Sequence, residues 1–95
     1  MNYYVYILTN TYNKVLYIGV TGNLKRRLSE HQNGTFPGFS KRYNLHKLVH
    51  FEQFHEIEEA IAREKQLKGW KRIRKDCLIS ENNPEWEDLC EVVNK

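Results

Sequence analysis

Tyr3-Tyr4-Val5-Tyr6-Ile7-Leu8-Thr9 and Lys14-Val15-Leu16-Tyr17-Ile18-Gly19-Val20 are two β-branched and aromatic runs separated by the polar Asn10-Thr11-Tyr12-Asn13. Such side chains fit the pleated surface of a strand, and the short polar interval reads as a turn, so the chain is predicted to open on a β-hairpin. A turn centred between Thr11 and Tyr12 sets Tyr6 opposite Tyr17, Val5 opposite Ile18 and Ile7 opposite Leu16. Directly opposed residues share a face of a sheet. Val5, Ile7, Leu16 and Ile18 then form a core face, and Tyr4, Tyr6, Tyr17 and Gly19 form the other, expected to be the wet one. Gly19 leaves room there for a backbone or ligand. An aromatic cross-strand pair is equally a sheet stabiliser, so the hairpin alone leaves both readings open.

Outward from the hairpin, Asn23 is a good N-cap for a helix over residues 24–32, stopped by Asn33-Gly34. A loop over 33–44 leads to a third strand at 46–54. A helix over 56–68 carries Ile57, Ala60, Ile61 and Leu67 on one stripe, and Gly69 breaks it. A further helical stretch bears Trp70, Ile73, Cys77 and Leu78. Asn83-Pro84 punctuates, and a short amphipathic tail follows with Trp86, Leu89, Val92 and Val93. The order β-β-α-β-α-α predicts a small α/β sandwich, a three-stranded, mostly antiparallel sheet flanked by helices. At 95 residues, a single domain over 1–95 is expected.

Composition narrows the class. No apolar run approaches the roughly 20 residues that span a membrane. The N-terminus, Met1-Asn2-Tyr3-Tyr4, lacks the charged segment of a signal peptide, and Cys77 and Cys90 show no metal-binding spacing. A cytoplasmic protein with two reduced thiols is the expectation. The net charge of +3 is unevenly spread: residues 63–75 hold Arg63, Lys65, Lys68, Lys71, Arg72, Arg74 and Lys75. Such clustering points to a polyanion partner, although a solvated helix face would look the same.

Two further features bear on chemistry. Arg27 and His31 lie four apart on the first helix and share a face near the hairpin. Arg presents a planar fork suited to phosphate. Glu64 lies four after Ala60 and three before Leu67, within the apolar stripe. A buried carboxylate demands a cation. That cation is either a metal, Mg²⁺ being typically held by one carboxylate plus waters and substrate phosphate, or the basic side chain of a structural Glu–Arg or Glu–Lys pair.

Taken together, Tyr4-Val5-Tyr6 and Tyr17-Ile18-Gly19, then Val20-Thr21-Gly22-Asn23-Leu24-Lys25-Arg26-Arg27-Leu28 with His31, then Glu59-Ala60 through Arg63-Glu64-Lys65 resemble the successive motifs of the GIY-YIG nuclease family. Asn83-Pro84-Glu85-Trp86-Glu87-Asp88-Leu89 resembles the tail of its short, stand-alone bacterial members. The chain departs from the first motif, where the family's Gly is Tyr4 and its Ile is Val5. Tyr4 would then stand beside Gly19 on the tyrosine face.

The resemblance implies metal-assisted hydrolysis of phosphodiester bonds, with DNA as the expected partner. Tyr17 would be the general base, Tyr6 and His31 its relay and proton-handling partners, and Arg27 the ligand of the scissile phosphate. Glu64 would hold Mg²⁺ or Mn²⁺. Lys41, Arg42, Lys68, Lys71 and Arg72 are candidates for sequence-independent backbone contacts. The alternative is a non-catalytic nucleic-acid-binding module on the same fold. A third reading docks the acidic tail, residues 81–91, on a protein partner. No membrane association is expected, and a monomer is favoured.

Overall fold

The computed structural model describes residues 1–34, 38 and 42–94. The hairpin strands are β1 (Tyr3–Thr9) and β2 (Leu16–Thr21), and the third strand is β3 (Lys47–Phe54). Among the described residues the helices are α1 (Leu24–Gln32), α2 (Ile57–Gly69), α3 (Arg72–Asn82) and α4 (Cys90–Val93). The sheet runs β2-β1-β3, and both pairings are antiparallel. The predicted α/β sandwich is therefore present, with a short α4 where the tail was expected. None of these helices is long and apolar enough to cross a membrane.

Both faces of the sheet are covered. Val5, Ile7, Ile18 and Val49 pack with Ala60 and Leu67 of α2 and Ile79 of α3. Tyr6, Leu8 and Leu48 pack on the opposite side with Leu24 and Leu28 of α1, Leu45 and Cys90. Burying each such Leu or Ile contributes roughly 1.5–3 kcal/mol, so each layer is held by several side chains of that worth. The tyrosine face is thus not the wet one, contrary to the sequence expectation. The reason lies in α1, whose Leu24, Leu28 and His31 are all buried and one or two turns apart. That stripe needs an apolar partner, and the tyrosine face supplies it.

The hairpin register also differs from the expected one. Tyr6 stands opposite Gly19, Ile7 opposite Ile18, Leu8 opposite Tyr17 and Tyr4 opposite Thr21. Tyr4 is therefore a diagonal neighbour of Gly19 and does not face it. The loop is longer than a tight turn: Asn10 Oδ1 accepts from the Lys14 backbone N–H at 2.8 Å, and Asn13 takes φ +57°. The second strand accordingly starts at Leu16 rather than Lys14.

On the other side of β1, the pairing with β3 slips between Ile7 and Leu8: Ile7 faces His50 while Leu8 faces Leu48. Val49 is the extra residue of this bulge. The tail seals the bulged edge. Asn83 Nδ2 donates to Val49 O at 3.1 Å, the Leu48 N–H donates to Asp88 Oδ1 at 3.2 Å, and the Leu89 N–H donates to Leu48 O at 2.7 Å. Asp88 of the acidic tail thus serves the sheet. The two cysteines are free thiols, with Cys77 exposed and Cys90 buried. Burial, aided by Asp88, pushes the Cys90 thiol up to about 12, so it stays protonated.

Candidate active site

The site forms at the free edge of β2. Tyr6 projects from central β1, and its ring lies across Gly19 of the edge strand. A Cβ at residue 19 would stand 2.5 Å from both Cζ and Oη of the phenol. Only a residue without a side chain fits under the ring, so Gly19 permits Tyr6 to extend to the strand edge. There the Tyr6 hydroxyl and His31 Nε2 lie 3.2 Å apart in a buried hydrogen bond. Tyr17 joins them, with ring centroids 6.2 Å from Tyr6 and 5.5 Å from His31. It reaches them as a diagonal neighbour of Tyr6, not as the facing residue.

The environment divides these groups by role. Burial first, with neighbouring Tyr17 and Glu64, pushes the Tyr6 phenol well above its usual range, against the pull of the Arg27 cation. Tyr6 is thus kept protonated, and its hydrogen bond with Tyr17 adds to that shift. Burial first, and then the Arg27 charge, push the His31 imidazole down to about 4, with Glu30 opposing. His31 is therefore neutral at pH 7. α1 sets both partners: Asn23 Oδ1 caps it by accepting from the Arg26 N–H at 3.1 Å, which fixes the stripe carrying Arg27 and His31. Arg27 Nε lies 3.2 Å from Glu30 Oε1, one turn on.

Glu64 comes from α2, and both it and Arg27 act electrostatically on the Tyr6 phenol. Its side chain is 17% exposed, and Oε2 lies 3.4 Å from Lys68 Nζ, which is 55% exposed. One of the two cations anticipated for this carboxylate, a lysine, is thus present. Among the described residues no group of three His, Cys, Asp or Glu could hold a metal ion. Any metal here would rest on Glu64 with waters and substrate oxygens. That donor set suits Mg²⁺ or Mn²⁺ and not zinc.

The candidate backbone contacts are dispersed. Lys68 and Lys75 flank an open trough of about 300 Å³ with Leu16, Tyr17 and Ile18. Lys71 is exposed at the start of α3, and Arg42 is exposed with its guanidinium 5.5 Å from the Tyr43 ring centroid. Lys41 lies outside the described residues. Arg72 is committed within the protein: its terminal nitrogens donate to Lys14 O at 2.7 Å and Asn13 O at 2.6 Å, and Nε donates to Asp76 at 2.8 Å.

Sequence reasoning missed a second carboxylate. Glu52 of β3 accepts two hydrogen bonds from Arg63 of α2, at 2.8 and 3.1 Å, and is bonded to buried His50 at 2.8 Å. Hydrogen bonding from His50 first, and then from Arg63, holds its carboxyl down at about 2 despite burial. Arg63 also lies 5.3 Å from the Trp70 ring centroid, and Arg74 lies 4.0 Å from it. The available signal was helical spacing, since Arg63 follows Ala60 by three and precedes Leu67 by four. It therefore flanks the apolar stripe as closely as Glu64 does.

Comparison with known proteins identifies the family. The model of the GIY-YIG catalytic domain matches residues 2–76. A UPF0213 protein of Clostridium perfringens is 36% identical over 91 residues, covering 96% of this chain and 97% of its own. A UPF0213 protein of Natronomonas pharaonis is 32% identical over 80 residues, covering 84% of this chain and 93% of its own. The solution NMR structure of a UPF0213 protein from Bacillus halodurans superposes with a TM-score of 0.60 at 31% identity, covering 93% of each chain. The chain therefore belongs to the GIY-YIG catalytic-domain family, among relatives that carry the name UPF0213.

Proposed function

We propose that this chain is a metal-dependent endonuclease that hydrolyses phosphodiester bonds in DNA. The observation that carries the reading is the Tyr17–Tyr6–His31 cluster, assembled at one strand edge with Arg27 and Glu64 acting on the same phenol. Tyr6 stays a neutral donor and His31 a neutral imidazole, so Tyr17, which lines the open trough, is the phenol assigned to the attacking water. As phenolate it takes the proton while the water oxygen bonds to phosphorus and the ester oxygen departs. Arg27, anchored by Glu30, is assigned to the scissile phosphate, where its charge meets the developing negative charge. Glu64 would hold Mg²⁺ or Mn²⁺, which supplies Lewis-acid stabilisation of the leaving oxygen. Lys41, Arg42, Lys68 and Lys71 are assigned to sequence-independent contacts with the backbone.

The test is nicking of plasmid or branched DNA with added Mg²⁺ or Mn²⁺, lost in Glu64→Gln and Tyr17→Phe. Absence of cleavage across several metals and DNA structures refutes the reading. A second reading, a binding module without catalysis, is favoured by one observation, the lysine already paired to Glu64. It requires salt-dependent DNA binding with no metal-dependent cleavage.

A further inference from the structure

Lys68 takes part in two arrangements at once. Its Nζ lies 3.4 Å from Glu64 Oε2, and its side chain forms one wall of the trough that Tyr17 and Lys75 line. The trough runs along β2, the outer strand of the sheet, with Lys68 contributed by α2 and Lys75 by α3. Among the described residues, Lys75 makes no ion pair with a carboxylate. The trough is bordered by two lysines and Tyr17 together with Leu16 and Ile18, and two ammonium groups on one open trough suit a phosphodiester strand.

A one-turn Glu–Lys pair with an exposed ammonium is weak, roughly 0.3–0.5 kcal/mol. The lysine stem is long and flexible, so its head can change partner at little cost. A divalent cation at Glu64 would repel the ammonium and remove its counter-charge together.

We infer that the trough between Lys68 and Lys75 is a phosphate site for the substrate strand, and that Lys68 holds Glu64 in the free protein and moves to that phosphate when Glu64 takes a metal. Lys75 is the permanent wall of the site and Lys68 the exchangeable one. The inference rests on the nuclease reading and adds to it a cation-for-cation exchange at Glu64. Uncompensated negative charge at Glu64 is thereby avoided in the free protein, and the arriving metal delivers a second positive charge to the substrate.

Two measurements on the purified full chain test it. The first is Mn²⁺ binding followed by electron paramagnetic resonance, with no nucleic acid present. Lys68→Met should bind Mn²⁺ roughly twofold more tightly than the native protein, because a competing cation of that strength is gone. Glu64→Gln should lose binding. Unchanged or weaker Mn²⁺ binding by Lys68→Met, with binding still lost in Glu64→Gln, overturns the exchange and leaves the metal site standing. Failure of the native protein to bind Mn²⁺, or native-like binding by Glu64→Gln, overturns the metal reading and the exchange with it.

The second is the salt dependence of binding to a fluorescein-labelled DNA duplex in chelator, where no cleavage occurs. Lys75→Met should reduce the slope of log K against log salt by about 1, the loss of one phosphate contact. Lys68→Met should reduce it by less than Lys75→Met does, since without metal Glu64 competes with the phosphate for Lys68. An unchanged slope for Lys75→Met overturns the phosphate site. A reduction for Lys68→Met as large as that for Lys75→Met overturns the exchange.

Discussion

The Tyr6 ring occupies the space that a side chain at Gly19 would need, with Cζ and Oη both 2.5 Å from the position of a Cβ there. This contact is between a rigid aromatic ring and backbone, so neither can give way cheaply. Gly19→Ala should therefore cost about 1–3 kcal/mol, as overpacking in a filled core does. It should also pull the Tyr6 hydroxyl off His31. Urea unfolding checks the first effect. The cause is checked by combining Gly19→Ala with Tyr6→Ala, which removes the clash and should make the glycine change nearly neutral. A destabilisation by Gly19→Ala that is the same in both backgrounds would show that the ring is not the obstacle.

His31 makes stability depend on pH in a definite direction. Its folded value, about 4, lies below the ordinary 6.5. Between these values the unfolded chain binds the extra proton, so its contribution is full above 6.5 and falls as pH drops toward 4. At about 1.4 kcal/mol per pKa unit, the loss is on the order of 3 kcal/mol. His31→Gln should remove most of this slope. Unfolding free energies at pH 7 and pH 5 for both proteins decide it, and parallel losses would refute the assignment.

How far the sequence carried this picture follows from one property of strands. The actual hairpin pairs each β1 residue with a partner two positions further along than a tight turn would give. An even shift leaves every side chain on its expected face, so the grouping of Tyr6, Tyr17 and Gly19 survived a wrong register. The loop itself was not legible, because it depends on the Asn10 side chain and a left-handed Asn13. Periodicity brought Glu64 to the apolar stripe, but it does not say which of two flanking residues is more deeply committed. Glu52 stayed hidden because its partner, Arg63, is distant in sequence and the Val49 bulge disturbs strand alternation. Spacing alone showed only that Arg27 and His31 share a face of α1. The burial of His31 required knowing what lay beneath α1.

The Glu52–Arg63–His50 network should be structural. Arg63→Met leaves Glu52 without its bidentate partner and should cost about 2–4 kcal/mol, while Arg63→Lys should recover only part because an ammonium cannot fork or stack on Trp70. Glu52 titrates in its own window. With a folded value of about 2 against 4.5, its contribution is full above 4.5 and lost as pH falls toward 2. It is therefore separable from His31 by acid titration. If Arg63→Met unfolds at the native urea midpoint, the network does not hold β3 to α2.

Arg72 tests whether a basic side chain in the 63–75 run serves the fold or the ligand. Its guanidinium bonds the Asn13 and Lys14 carbonyls, the two residues that lead the chain back into β2. Those carbonyls belong to the loop that sets the hairpin register, and the register places Tyr17 beside Tyr6 and His31. Arg72→Met should thus loosen the hairpin by about 1 kcal/mol, a modest figure because the group is partly exposed. Any nuclease activity should fall through the position of Tyr17, as a drop in kcat with KM little changed. The salt slope of DNA binding should stay at its native value, because the donors already face the protein. A slope reduced by about 1 would instead return Arg72 to the nucleic-acid surface, and amide exchange at Asn13 and Lys14 would then be expected to remain native.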